Sequence, residues 1–338
     1  MGQPKVVVTD YNYPDLKIEE ELLSEIGVDF TVSQCKTPEE VIDAAEGADA
    51  LLNQYTEITE EVFSNLPNLK AISIYGIGVD SVNIESATAH GVSVFNVPSY
   101  CEGEVSDHTL ALILSCLRKV PFYDRDVRSG YWDWKSRAPI ARIDGLVLGL
   151  LAFGKISQMV AEKSQVFGLR PLVYDPYVDQ EVMTSRGVKV ADTKEEVLAK
   201  SDVLSIHTPL TEGTRHLIGR EDLKKMKSDA VLINTSRGPV VDNEALRWAL
   251  ETSQIAGAGL DVIEDEPSEG SVADHPLTGL DKAILTPHVA WYSEEAVAEL
   301  RRKTAMNIAC FLQGDPPQER LVNPETLSLD PEPEEIEN

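Results

Sequence analysis

Residues 232–244, LINTSRGPVVDNE, decide how the rest of this 338-residue chain is read. The apolar run 230–233 reads as a buried strand, and it stops at Asn234, Thr235 and Ser236. A guanidinium, Arg237, follows at once beside Gly238 and Pro239. Open parallel α/β sheets bind ligands outside the carboxyl ends of their strands. A rigid fork of N–H donors at such an edge suits a planar carboxylate next to a carbonyl. A surface arginine pairing with some aspartate is the plainer reading of this stretch alone, so its neighbours must decide.

Working outward, strand and helix signals alternate in both directions. Residues 5–9, 29–33, 48–52, 71–75 and 92–97 are short, apolar and β-rich, and predict strands. Between them 16–26, 38–45, 57–66 and 83–89 carry helical spacing. Thr37 before Pro38 and Glu39, with Glu40 closing a capping box, marks one start, and Gly27, Gly47 and Gly91 mark stops. A longer buried helix is expected at 105–120, then an irregular stretch to residue 144. The rhythm restarts with strands at 146–152, 172–175, 203–207, 230–233, 256–262 and 283–285, and helices at 154–167 and 293–312. Repeated βα units imply parallel sheets. The fold class expected is α/β, two doubly wound parallel-sheet domains, with a Rossmann nucleotide-binding domain (105–290) inserted into a flavodoxin-like substrate domain (1–104 and 291–325). Residues 326–338, ending in LDPEPEEIEN, carry too little apolar content to fold and are expected to be a disordered acidic tail.

Composition narrows the class of function. No apolar run approaches the ~20 residues that span a bilayer, and the N-terminus lacks the apolar core of a signal peptide. Cys35, Cys101, Cys116 and Cys310 are scattered without CxxC spacing or a neighbouring histidine, so a cytoplasmic chain with reduced thiols and no metal site is expected. Fifty-seven acids against thirty bases give a net charge of −27, which argues against nucleic-acid binding. A salt-adapted surface and a merely acidic one both remain open readings of that excess.

The turn after the strand at 146–152 runs Gly149-Leu-Leu-Ala-Phe-Gly-Lys-Ile-Ser157. A dinucleotide fold places G-x-G-x-x-G there, and this chain offers Ala152, Gly154 and Ser157. The middle glycine, which lets backbone approach a pyrophosphate, is kept. Ala152 is acceptable there if its φ is negative, and Ser157 still permits close helix–strand packing. Asp175 ends the next strand, where a carboxylate takes ribose hydroxyls. No arginine follows it, so NAD is expected over NADP.

Two further pieces fall at strand ends of the same sheet. Residues 257–262 run through Asp261 into Glu264, Asp265 and Glu266, and residues 283–286 run into Pro287 and His288. Hydride exchange between a carbinol carbon and a nicotinamide requires a proton to move at the oxygen, and imidazole suits that role. Glu266 beside His288 would fix the tautomer and favour the protonated ring. Arg237 would anchor the substrate carboxylate and polarise the adjacent carbonyl. Asp261 is placed to bond the nicotinamide carboxamide or to organise the site.

With those pieces in hand, the chain resembles the D-isomer-specific 2-hydroxyacid dehydrogenase family, which includes phosphoglycerate dehydrogenases, formate dehydrogenases and the C-terminal-binding-protein corepressors. The motifs are YGIGVD (75–80), NVPSYCEGEVSDHTLALIL (96–114), HTPLTEGTRHLI, NTSRGPVVDNEAL, GLDVIEDEP and TPHVAWYSEEA. The resemblance implies that Arg237, Glu266 and His288 take the catalytic positions. It implies cofactor contacts at Lys155, Ile156, Thr208, Thr235, Ser236 and Asp261, beside Gly154 and Asp175. Gly76 and Gly78 match the loop whose N–H groups meet the substrate carboxylate. An active-site cleft and a homodimer formed through the nucleotide domain are also implied. The sequence PHVAWY is most similar to the corepressor-like branch, in which the tryptophan, Trp291 here, lines the substrate pocket. Tyr55, Tyr75 and Ile77 lie on the loops expected to face the substrate. Many relatives carry an arginine two residues before the first loop glycine, where this chain has Ile74. Two functions follow: an NAD-dependent enzyme interconverting a D-2-hydroxy acid and its 2-oxo acid, a small-molecule substrate, or a non-catalytic NAD(H)-sensing corepressor-like binding protein. The intact Arg237, Glu266 and His288 set favours the enzyme.

Overall fold

The computed structural model describes residues 3–267 and 270–329. The chain forms two compact units, one of residues 1–100 with 293–338 and one of residues 101–292. The sequence reading divides them at 104/105 and 290/291.

The first unit carries a five-stranded sheet, every pair parallel: β1 (Lys5–Val8), β2 (Asp29–Val32), β3 (Ala50–Asn53), β4 (Ala71–Ile74) and β5 (Ser93–Phe95), in the order β2-β1-β3-β4-β5. That is the flavodoxin-like doubly wound order. The central strands β3 and β4 are buried at all four positions, as strands covered on both faces must be. Thr37 caps the helix Pro38–Ala44 through the amide of Glu40, as the sequence predicts.

The C-terminal helix Glu294–Leu312 packs on the helix Lys17–Ser24 and on β4. A buried ion pair fixes it there: Arg301 Nη2 lies 2.7 Å from Glu19 Oε2, with side chains 7% and 0% exposed. Arg301 also donates to the carbonyl of Asp15 at 2.7 Å. Of the expected tail, residues 326–329 belong to the 3₁₀ helix Pro324–Leu329, and Thr326 Oγ1 lies 2.9 Å from Ser93 Oγ. Residues 330–338 lie outside the described residues.

The second unit carries seven parallel strands: β6 (Val147–Leu151), β7 (Arg170–Tyr174), β8 (Lys189–Val190), β9 (Val203–Ile206), β10 (Val231–Asn234), β11 (Gly257–Leu260) and β12 (Ala283–Leu285). Their order is β12-β11-β10-β9-β6-β7-β8, the dinucleotide-binding order with one strand added. It reverses between β6 and β9, which creates a crevice at their carboxyl ends. Cores of aliphatic side chains cover both faces of this sheet.

The stretch after the helix Glu102–Arg118 differs from expectation. Lys119 enters the left-handed region at φ 56°, and Pro121 opens a second helix, Val120–Arg128, where the sequence reading expects irregular chain. Proline fits a first helical turn because it has no N–H to leave unpaired.

Candidate active site

Because every strand of the second unit is parallel, the loops after β6, β7, β9, β10, β11 and β12 leave one edge. After β6 the chain turns through Ala152 into the helix Lys155–Gln165, with Gly154 at its N-cap. Ala152 has φ 73°, not the negative value on which the sequence reading accepts it. In that region Cβ crowds the following carbonyl, at about 1–2 kcal/mol. The turn therefore has the geometry of the glycine that alanine replaces. It is held by Ala152 N donating to Tyr174 O (3.0 Å) and by Phe153 N donating to Asp175 Oδ2 (2.8 Å).

The residues at this crevice fit a dinucleotide. A Cβ at Gly154 would meet no heavy atom within 4 Å, and the helix start has no side-chain cap. Uncapped N–H groups at a helix start form an anion site. Thr208 Oγ1, after β9, is buried without a protein partner. Asp175 is half-buried; it also accepts from the amides of Tyr177 and Val178, which orients the carboxylate. Ser157 is wholly buried, so the helix lies close on the sheet. Lys155 Nζ sits 3.6 Å from Glu102 Oε1. Ile156 packs its side chain into the core, so its amide is what it can offer a ligand. Burial pushes the His207 imidazole down to about 4, which keeps it neutral beside Ser205 Oγ at 2.9 Å.

After β10, Asn234 folds the chain back on itself. Its Oδ1 accepts from the amide (3.0 Å) and hydroxyl (2.9 Å) of Ser236, and its Nδ2 donates to Arg237 O. Thr235 Oγ1 lies 2.8 Å from Thr109 Oγ1. Arg237 is half-buried, with Nη1 donating to Ser236 O at 2.8 Å. Gly238 is obligatory, since a Cβ there would lie 1.9 Å from Ile263 O. That close approach seats the Arg237 loop directly on the loop after β11.

Asp261 is 2% exposed and organises the turn after β12. Its carboxylate accepts from Thr286 Oγ1 (2.6 Å), Val289 N (2.9 Å) and Ala290 N (2.9 Å), and its carbonyl from His288 N (2.8 Å). His288 is thereby held at φ 50°, a strained region for a residue with a Cβ. Its Nδ1 lies 2.6 Å from Glu266 Oε1. Arg237, Glu266 and His288 thus stand on loops that follow three adjacent strands, β10, β11 and β12.

Two groups here escaped the sequence reading. His108 Nε2 lies 2.9 Å from Thr286 Oγ1; that hydroxyl donates to Asp261, so the ring N–H donates to it. Glu264, in the same acidic run as Glu266, turns to Arg215 and His216. Their partners lie 178 and about 50 residues away, a separation without local periodicity to betray it.

In the first unit, Tyr55 is 51% exposed, and its amide donates to the buried carboxylate of Asp10 at 2.7 Å. Gly76, Ile77 and Gly78 are half-buried in the turn after β4, with Asn96 Nδ2 donating to Ile77 O. Tyr75 differs from the expectation of a substrate-facing ring. It is buried, with its hydroxyl donating to Glu19 at 3.1 Å and its ring edge-on to Tyr13. Ile74 belongs to the core. Trp291, in the second unit, is half-buried and packs edge-on to Tyr292, which is half-exposed.

The profile described as D-isomer specific 2-hydroxyacid dehydrogenase, NAD binding domain, matches residues 110–290. Glyoxylate reductase from Thermofilum pendens is 38% identical over 340 residues, covering 98% of each chain. D-3-phosphoglycerate dehydrogenase from Methanocaldococcus jannaschii is 36% identical over 92% of this chain, which spans 58% of that protein's length. Among solved structures, D-lactate dehydrogenase from Aquifex aeolicus complexed with NAD and lactic acid superposes with a TM-score of 0.85. It is 28% identical, over 94% of this chain and 99% of that one.

Proposed function

This chain belongs to the D-isomer-specific 2-hydroxyacid dehydrogenase family, and on that premise we propose that it is an NAD-dependent enzyme in which His288, Glu266 and Arg237 carry the chemistry. The observation that carries the assignment of roles is the 2.6 Å contact between His288 Nδ1 and Glu266 Oε1. With Nδ1 turned to a carboxylate, Nε2 is the ring nitrogen left for a substrate oxygen. NAD supplies the hydride acceptor for a 2-hydroxy acid, and NADH the donor for a 2-oxo acid. In reduction, His288 gives the Nε2 proton to the oxygen that becomes the hydroxyl; in oxidation it removes that proton. Glu266 holds the ring orientation and stabilises the cation. Arg237 binds the carboxylate and draws charge from the adjacent carbonyl. Gly154, Lys155, Ile156, Asp175, Thr208, Thr235, Ser236 and Asp261 serve the cofactor. The corepressor-like alternative is not favoured, since the similar proteins are named as dehydrogenases and reductases.

For the substrate's distal end we propose an uncharged, medium or large substituent. The loops 10–15, 53–56 and 73–78 contain no lysine or arginine. Arg301, near the first of them, is buried against Glu19 and Asp15. A phosphate without cations would be costly to bury, whereas the exposed ring of Tyr55 on these loops suits an apolar substituent. Initial rates with NADH and phenylpyruvate, a branched-chain oxo acid, pyruvate, glyoxylate or phosphohydroxypyruvate test both parts. Turnover of none of them would sink the enzyme reading. A higher kcat/KM for phosphohydroxypyruvate than for the uncharged acids would overturn the substrate assignment alone.

A cytoplasmic homodimer joined through the nucleotide-binding unit completes the reading. The exposed Tyr131, Trp132 and Trp134 of that unit support it. Light scattering after gel filtration that gives a monomer mass would remove the dimer.

A further inference from the structure

Glu264 lies two residues before Glu266 and is bonded into three loops of the second unit. Its side chain is 11% exposed; its oxygens lie 3.0 and 2.9 Å from His216 Nε2, and Oε1 also accepts from Arg215 Nη2. Its carbonyl accepts from Asn243 Nδ2 and His275 Nε2, both at 3.1 Å. Leu277 N donates to His275 Nδ1, which fixes Nε2 as the protonated end. The segment that carries Arg215 and His216 is itself bonded to the turn after Arg237, with His216 N donating to Pro239 O (2.8 Å) and Ile218 N to Val240 O (3.1 Å). Gly238 closes the arrangement by lying against the peptide between Ile263 and Glu264. Beyond Glu264 the chain reverses at Asp265, φ 59°, and so turns Glu266 to His288.

The segment after β9 thus bonds the Glu264 carboxylate through Arg215 and His216 and the turn after Arg237 through its backbone, so it links the loops that carry Arg237 and Glu266. An ion pair of this kind is weak support for stability, because apolar residues of like volume often serve as well. What an apolar residue does not reproduce is direction: a carboxylate bonded by two neighbouring side chains, Arg215 and His216, fixes how that segment lies against the loop after β11. We propose that Glu264 is a positioning residue for the reaction, setting through Arg215 and His216 the spacing between Arg237 and the Glu266–His288 pair. This rests on the roles proposed above for those three residues.

The test uses Glu264→Gln, His216→Gln, Glu266→Gln and the double variant Glu264→Gln with Glu266→Gln, all in the full chain. kcat and KM are measured with the best oxo acid of the panel, the NADH dissociation constant by fluorescence and the melting temperature by calorimetry. Glu264→Gln should lower kcat by about 10–100-fold, the scale of a small misplacement of reacting groups, with the NADH dissociation constant within about twofold. The double variant should lose less than the product of the two single losses, because both residues act on the placement of His288. Wild-type kcat in a folded Glu264→Gln, or losses that multiply in the double variant, would overturn the proposal. His216 is half-exposed, so His216→Gln keeps the question answerable if Glu264→Gln does not fold; it should show the same split at smaller size, and wild-type kcat there overturns the proposal equally. Unimpaired turnover in Glu266→Gln would instead overturn the underlying assignment of roles.

Discussion

Nδ1 of His288 and Oε1 of Glu266 lie 2.6 Å apart, across 22 residues of sequence, with both segments turned by left-handed backbone at His288 and at Asp265. Neither residue is buried, so the contact is fixed by the loops and not by exclusion of water. Strained backbone beside both partners indicates that the surrounding bonds over-determine their position.

His288→Ala should abolish most turnover, by about 10²–10⁴-fold, the usual worth of a general acid. NADH binding, followed by fluorescence, should change little, since the imidazole acts on the substrate oxygen. Near wild-type turnover in this variant would assign the proton to another group.

Ala152 is an alanine in a glycine's conformation. Ala152→Gly removes the crowding of about 1–2 kcal/mol and adds unfolded-state freedom of about 0.4–1 kcal/mol. A small net rise in melting temperature is expected, with NADH binding at least as tight as in the parent. A clear fall in stability would show that the Cβ makes contacts worth more than the strain.

Asp175 should set the cofactor preference, because its carboxylate accepts from ribose hydroxyls and repels a 2′-phosphate. The parent should use NADH far better than NADPH, and Asp175→Ala should narrow the gap. The variant also removes the acceptor of Phe153 N, so its NADH KM should rise together with the change in preference. Equal use of both cofactors by the parent would remove Asp175 from this role.

The ion pair between Arg301 and Glu19 should behave as a buried one. Arg301→Ala leaves Glu19, 0% exposed, without its cation, and should cost about 3–5 kcal/mol in urea unfolding. Replacing both residues by apolar ones of similar size should recover much of that loss. A single variant within about 1 kcal/mol of the parent would mean that water reaches Glu19 readily.

What the sequence determined by itself was what local chemistry and period can carry. Alternating apolar runs and caps placed every strand but the two-residue β8 (Lys189–Val190) within a few residues, because a strand buried on both faces is mostly apolar and a helix must announce its first turn. Parallel strands then put Gly154, Asp175, Asn234, Asp261 and His288 on one edge without further information. The tertiary structure decided what depends on distant partners. Tyr75 follows a strand end just as a ligand-facing residue would, yet Glu19 draws its hydroxyl inward. Three acids in a row, at 264, 265 and 266, look alike in sequence; Arg215 and His216 take the first, His288 the last, and a positive φ at Asp265 separates them. Ala152 gave no sign of its left-handed turn, because a backbone angle is imposed by the bonds from Tyr174 and Asp175 and not by the alanine. Side-chain identity limits what a position can do, and long-range packing chooses among those possibilities.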